Sequence, residues 1–341
     1  MHKKHWIATL LFITGMACSK QVMKVFYGFQ KPANFPEAAY HFSTNEITQA
    51  KFELGRKLFY EPRLSRDNTV SCGTCHIQSA GFTHHGHDVS HGIDDRLGSR
   101  NSPPIMNMAW SKSFFWDGGV FDLDLQPIVP ITNPVEMDET ISQVLDKLRK
   151  HPDYPGLFKK AFGTDEITTE RMMKALSQFM VMLVSANSKY DKVMRREGES
   201  FTTDEQKGYE LVKQHCGSCH KEPLFTDDSF RDNGIGIGNN NDSGRYKITL
   251  NESDMYKFKV PSLRNLSFTA PYMHDGRFIT LQAVLEQYSA HVKSTPNLDP
   301  LLKQNGKLGF SLTAEEQQSI IAFLKTVDDR DFITDKRFSE Q

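Results

Sequence analysis

Apolar residues recur at helical intervals in several separated stretches of the chain, and these stretches predict its elements. From Asn45 onward, Ile47, Phe52, Leu54, Leu58 and Phe59 share one broad helical face. Gly55 lies within it and, having no side chain, lets a neighbouring helix or a bound group approach closely. The same design returns later. Thr202 and Glu205 form a capping box, and Gly208, Leu211 and Val212 then lead to Cys216 much as Gly55, Leu58 and Phe59 lead towards Cys72. The chain therefore reads as a weak internal repeat. Residues 141–148 and 167–196 are also predicted helical. The second stretch carries Met172, Met173, Leu176, Phe179, Met180, Leu183 and Val184, a stripe read as core because unbranched methionines fill irregular apolar gaps. Another helix covers 281–288. The last starts at Thr313, with Glu316 as capping partner, and runs through Ile320, Ile321, Phe323, Leu324 and Val327. No stretch is convincing as a strand, so the predicted class is all-α.

Between these helices lie long irregular segments. Residues 19–43 contain Gly28, Pro32, Asn34 and Pro36 with no period and read as a linker. Residues 81–92 place His84, His85, His87 and His91 among glycines, a mobile loop by composition. Residues 126–137 hold Pro127, Pro130 and Pro134, a density that blocks helix and central strand alike and leaves a shaped loop. Residues 227–253 are rich in Gly, Asn and Asp.

Two short runs supply the chemistry. Residues 71–76 read Ser-Cys-Gly-Thr-Cys-His and residues 215–220 read His-Cys-Gly-Ser-Cys-His. In a Cys-x-x-Cys-His run the two thiols form thioethers to haem vinyl groups, and the adjacent imidazole takes an axial iron position. Two covalent c-type haems are therefore expected, on Cys72, Cys75 and His76 and on Cys216, Cys219 and His220. A four-cysteine zinc ribbon needs the same pairs but gives no reason for a histidine after both, and its pairs are usually much closer together. The fold expectation becomes two cytochrome c-like haem domains with long irregular loops. The 227–253 segment then reads as a loop over the edge of the second haem.

At 341 residues the chain has room for two domains. The division predicted is 1–17 signal peptide, 18–43 linker, 44–198 first haem domain and 199–341 second haem domain. Lys3, Lys4 and His5 form the basic start of the leader, followed by an apolar run too short to span a bilayer. Cys18 follows Gly-Met-Ala, which looks like a lipoprotein cleavage site, although Gly15 replaces the usual leucine. The expected location is the periplasm, with a lipid anchor on Cys18 or simple secretion as the alternatives. With four cysteines committed to haem, no disulfide is expected. The formal net charge of −1 argues against a nucleic-acid or anionic-membrane partner bound by bulk electrostatics.

At these residues the chain resembles the bacterial di-haem cytochrome c peroxidases, together with the MauG-like di-haem enzymes of the same fold. The resemblance covers roughly residues 45–330. Phe115-Trp116-Asp117-Gly118 looks like the family segment whose tryptophan lies between the haems. Gln126, Pro130 and Glu136 match the spacing of the family's peroxide-pocket residues, and Asn101, Thr269 and Pro271 match positions that hold a calcium ion between the domains. Chemistry supports the pocket independently. Heterolysis of a peroxide O–O bond needs a group that carries a proton from the inner to the outer oxygen, and a carboxylate such as Glu136 can do so. Gln126 can orient peroxide or water, and Pro130 can limit what enters.

The resemblance implies that the first haem reacts with peroxide, the second stores or relays electrons, and Trp116 couples them. It also implies a distal histidine on the first haem, with His91 nearest the family spacing and His87 second, though MauG-like enzymes lack this ligand. At the second haem, Tyr288 falls on the distal position, as in MauG-like enzymes, and Met273 is the alternative. The function expected is reduction of hydrogen peroxide to water with electrons from a small cytochrome or cupredoxin. The alternatives are MauG-like oxidation of a protein or organic substrate, favoured by Tyr288, and a non-catalytic di-haem electron carrier. Glu136 with Gln126 argues against the carrier, which needs no proton-handling pocket.

Overall fold

Thr48 opens the first long helix, α1 (Gln49–Phe59), its hydroxyl accepting the Lys51 amide. The helix starts later than the apolar period at Asn45, because Asn45 is buried and its amide donates to the Tyr40 hydroxyl and the Lys174 carbonyl. The computed structural model describes residues 26–238, 241–304 and 306–341. The predicted leader and Cys18 lie outside the described residues. After α1 come α2 (Cys72–Cys75), α3 (Ile128–Thr132), α4 (Ile141–Lys150), α5 (Tyr154–Phe162) and α6 (Thr169–Met182). The second half continues with α7 (Lys189–Met194), α8 (Thr203–His215), α9 (Tyr246–Thr249), α10 (Leu281–Ala290), α11 (Ala314–Thr326) and α12 (Arg330–Thr334). Sheet is minimal among the described residues. Antiparallel two-residue strands pair β1 (Phe230–Arg231) with β2 (Phe258–Lys259), and β3 (Lys303–Gln304) with β4 (Lys307–Leu308). The fold is all-α, as the periodicity predicts.

Two helix pairs carry the cores, and both are built around a glycine. A Cβ on Gly55 of α1 would stand 1.8 Å from the Ala175 carbonyl oxygen of α6 and 3.2 Å from the Phe179 Cβ. On Gly208 of α8 it would stand 1.9 Å from the Ser319 carbonyl oxygen of α11 and 2.9 Å from the Phe323 Cβ. In both pairs the glycine meets a backbone carbonyl and the phenylalanine four residues further on. The internal repeat read from the sequence is thus a repeat of packing. Capping boxes at Thr202/Glu205 and Thr313/Glu316 start α8 and α11 as predicted. The methionines of α6 are core: Met172, Met173, Met180 and Met182 are all buried.

Several expectations change. The helix predicted over 167–196 is two helices. Asn107 peels the chain away after α6: its side-chain amide and carbonyl exchange hydrogen bonds with Ser185 at 3.1 and 2.9 Å, and its backbone amide donates to the Leu183 carbonyl. Ser188 and Asp191 then form a fresh capping box for α7. The proline-rich segment is not free of helix either, since Pro130 sits in the first turn of α3, where a missing amide leaves no bond unmade. Helix α5 is an addition, marked by Pro155 near its start and Gly163 in the left-handed conformation (φ +84°) at its end.

The segment expected as a linker is packed from residue 26 onward. Phe35 is buried edge-on against Trp110, whose indole donates to the Pro36 carbonyl at 2.8 Å. The far end of the chain also returns to the first core. Phe332 and Phe338 join it, the Tyr60 hydroxyl donates to the Phe338 carbonyl at 2.7 Å, and Gln78 donates to the carbonyls of Phe332 and Asp335. The second core gathers Tyr190, Val212, Phe225, Leu285, Ile320, Phe323, Leu324 and Val327. A salt bridge with both side chains fully buried supports it, Arg264 gripping Asp191 bidentately at 2.9 and 2.7 Å. No helix among the described residues is long and apolar enough to cross a membrane.

Candidate active site

The two Cys-x-x-Cys-His runs end in the same geometry. At α2, the His76 amide closes the turn on the Cys72 carbonyl at 2.9 Å, and the ring Nδ1 lies 2.8 Å from the Phe82 carbonyl oxygen. At the end of α8, the His220 amide bonds the Cys216 carbonyl at 2.9 Å, and its Nδ1 lies 3.1 Å from the Phe225 oxygen and 3.0 Å from that of Pro261. A carbonyl oxygen only accepts, so each Nδ1 carries the proton and each Nε2 keeps its lone pair for a metal. Burial lowers the His76 pKa to about 4 and shifts His220 in the same direction, which favours the neutral imidazole in both. Burial also pushes the Cys72 and Cys216 thiols up to about 12 and the Cys75 thiol to about 11. Among the described residues no three His, Cys, Asp or Glu side chains converge on a metal-sized site, so the four cysteines do not form a zinc ribbon.

Beside the second run the chain leaves a cavity of about 330 Å³. Cys216, Cys219 and His220 lie on its wall, with apolar lining from Val212, Leu263, Leu266, Val284, Leu285, Ile320 and Leu324. Paired thiols, an imidazole with a free Nε2 and apolar walls fit a covalent haem.

Around the first run, the loop read as mobile is packed. The Cys75 thiol donates to the His91 carbonyl at 3.3 Å, so His91 is tied directly to the attachment helix. The His91 ring faces His87, with Nε2 to Nδ1 at 3.1 Å, and its other nitrogen lies 3.3 Å from an Asp95 oxygen. His84 stacks on His87 with centroids 4.2 Å apart and is itself buried. Glu136 sits close enough to Cys72 and Cys75 to raise both thiols further. Burial raises the Glu136 carboxyl above its usual range, and the Asn133 amide, donating to it at 2.8 Å, pulls the other way. Pro130 joins this corner through its carbonyl, which accepts the Met137 amide at 3.2 Å. Gln126 caps the turn before α3 by its backbone, but among the described residues its side chain makes no hydrogen bond to Glu136.

Trp116 lies on the wall of the cavity beside the second run, its indole donating to the Asn101 carbonyl at 2.8 Å. The Asn101 side chain in turn donates to the carbonyls of His87 and Asp88 at 3.1 and 3.2 Å. One asparagine thus touches both the histidine loop and the tryptophan. Asn101, Thr269 and Pro271 all line this cavity. Next to them Arg100 bridges Asp117 at 2.5 Å and Asp242 at 2.6 Å, joining partners too distant along the chain for any local pattern to announce. Against the raising effect of burial, Arg100 together with Lys247 and the Gly244 amide holds Asp242 far below the carboxylate range.

Tyr288 and Met273 also line this cavity. Burial pushes the Tyr288 phenol up to about 12, against the lowering effect of a hydrogen bond from Asn233 at 3.3 Å. Asn233 was not among the sequence candidates. Its only local signal is the Asp232-Asn233-Gly234 turn within a Gly- and Asn-rich stretch.

The helical fold and the paired haem-attachment sites define a di-haem c-type oxidoreductase. Residues 49–199 match the model of the family described as di-haem cytochrome c peroxidase. Over 301 residues the chain is 36% identical to the methylamine utilization protein MauG of Methylorubrum extorquens, covering 86% of this chain and 82% of that protein. It is also 36% identical over 286 residues to the cytochrome c551 peroxidase of Nitrosomonas europaea, covering 82% and 81%. Among solved structures, a MauG-like protein associated with microbial copper homeostasis superposes with a TM-score of 0.82 at 31% identity, covering 92% of this chain and 99% of that one. The chain belongs to the di-haem cytochrome c peroxidase family, which implies two haem c groups.

Proposed function

We propose that the protein reduces hydrogen peroxide to two waters, taking up two protons and two electrons from a small periplasmic cytochrome or cupredoxin. The observation that carries this reading is Glu136: a carboxyl raised by burial and held by Asn133, placed beside the first Cys-x-x-Cys-His run. When bound, each haem supplies an iron that can take an oxygen ligand and exchange single electrons. Cys72, Cys75 and His76 hold the peroxide-side group; Cys216, Cys219 and His220 hold the electron-relay group. Glu136 accepts a proton from the inner peroxide oxygen and returns it to the outer one, and a pKa above the ordinary carboxylate range suits both halves of that task. Gln126 orients the peroxide and Pro130 narrows the approach. His91, with His87 beside it, would supply the further ligand to the first group, and Tyr288, with Met273 as the alternative, that to the second. Trp116 couples the two halves. A calcium ion held by Asn101, Thr269 and Pro271 would brace the wall on which Trp116 lies. The assigned location is the periplasm, and the proposed domains divide near residue 198.

A second reading, MauG-like oxidation of a protein or organic substrate, is favoured by Tyr288 standing on the wall of the cavity beside Cys216 and Cys219. Steady-state peroxide turnover with a reduced small cytochrome separates the two. Rapid oxidation of that cytochrome supports the peroxidase, and peroxide consumption without it supports the alternative.

A further inference from the structure

Three candidates stand out beyond the roles above: the stacked histidines of residues 84–91, the exposed apolar side chains of Phe121, Leu125 and Val129, and the amide of Asn233. The last is carried furthest by geometry. Its Oδ1 accepts the Ile235 backbone amide at 3.2 Å. A backbone N–H can only donate, so this contact fixes which end of the amide is oxygen and turns Nδ2 the other way. There Nδ2 lies 3.3 Å from the Tyr288 hydroxyl and 3.6 Å from the Met273 sulfur. One side chain therefore touches both candidate axial ligands, on a cavity wall shared with Cys216, Cys219 and His220.

The frame around Asn233 is rigid. Asp232 is buried, accepting the Gly234 amide at 2.9 Å and the Thr295 hydroxyl at 2.5 Å. Gly234 (φ +69°) leaves no room for a side chain, as a Cβ would stand 2.6 Å from Val292. Its carbonyl accepts from Gln287 at 3.2 Å, the residue before Tyr288 on α10, so the turn and the helix are locked together. Met273, in contrast, sits at φ +75°, a conformation that disfavours a non-glycine residue.

We propose that Asn233 is a positioning residue that selects Tyr288 over Met273 as the axial ligand of the second haem. A hydrogen bond to an anionic oxygen is roughly twice as strong as one to a neutral acceptor, and a thioether is a weak acceptor. The same amide therefore favours a phenolate on the iron and gives a thioether little, while holding the sulfur where it stands. This inference rests on the di-haem reading, and the test keeps the two apart.

The test compares the holoprotein with Asn233→Asp, Asn233→Leu and Asn233→Leu/Met273→Leu, after intact mass has counted the haems. Asn233→Asp keeps the shape and the acceptor for Ile235, removes the amide donor and adds a negative charge. The expected result is a wild type without thioether–iron absorption in the red. That band appears in the Leu variant, with a rise in the second haem's reduction potential, and vanishes in the double variant. The Asp variant should gain the same band, and its spectrum is the readout because the added carboxylate charge itself lowers a haem potential. If Asn233→Asp carries two haems with the wild-type spectrum, the inference is overturned, and a thioether band already present in the wild type overturns it equally. A wild type with fewer than two haems sinks the di-haem reading instead.

Discussion

Gly92 packs so closely against Glu136 that a Cβ on the glycine would stand 2.5 Å from the Glu136 Cα and 2.5 Å from its carbonyl oxygen. Beside it the Ile93 amide donates to that same carbonyl at 2.7 Å, and the neighbouring His91 carbonyl takes the Cys75 thiol. Attachment helix, histidine loop and acidic residue are thus one contiguous unit.

Gly92→Ala should displace this unit by pushing the Glu136 backbone away. A catalytic group misplaced by about 1 Å can cost about 10²-fold in rate, so turnover should fall by that order with both haems still attached. Unchanged peroxide turnover would show that the contact does not position Glu136.

Glu136→Gln should remove the proton carrier and lower peroxide turnover by about 10²–10⁴-fold. Because Glu136 must be ionised to accept the first proton, wild-type activity should fall on the acid side, at a pH above the ordinary carboxylate range, and that limb should be absent in the variant. Stability gives an independent check. A raised folded-state pKa means stability is lost as pH rises through it, so Glu136→Gln should melt higher than wild type at neutral pH and equally in acid.

Trp116→Phe removes the indole donor to the Asn101 carbonyl while keeping an aromatic ring on the cavity wall. Stopped-flow oxidation of one haem through the other should slow. If its rate is unaltered, Trp116 is not the coupling residue.

Asp191→Ala leaves the buried Arg264 guanidinium without its bidentate partner. Breaking one side of such a pair typically costs about 3–5 kcal/mol, measurable by denaturant unfolding. Burial alone would raise the Asp191 carboxyl, but Arg264 outweighs it and holds the pKa below the usual range. The stability Asp191 contributes is therefore full above the ordinary carboxylate pKa and lost as pH falls through the lowered one, a dependence the variant should lack.

Local signals carried much of this architecture. Both Cys-x-x-Cys-His runs and the Thr202 and Thr313 capping boxes depend on residues within a few positions and were legible, whereas Gly55 announced a close approach without naming its distant partner, Ala175. The split of 167–196 into two helices was half legible: Ser188 and Asp191 spell a capping box, but the break before it depends on Asn107, some 78 residues away. What pairs across the fold left no trace in the sequence. Arg100 with Asp242, and Asn233 with Tyr288, meet only because separate loops converge on one cavity. Composition misread the histidine loop for a related reason, since glycine content reports freedom of the isolated chain and not the partners that remove it.

The return of the last residues to the first core has a consequence for how the protein comes to be made. Phe338 reaches Tyr60 across a sequence separation of 278, and the Tyr60 ring lies against Gly73, within the first attachment run. Closing so long a loop is cheap in equilibrium free energy, because the entropic cost grows only with the logarithm of its length, but such contacts form late in folding. The surroundings of Cys72 and Cys75 thus remain unfinished until residues 330–338 have been synthesised, and a fragment ending at residue 198 would expose Phe82 and Phe179 rather than fold as an independent half.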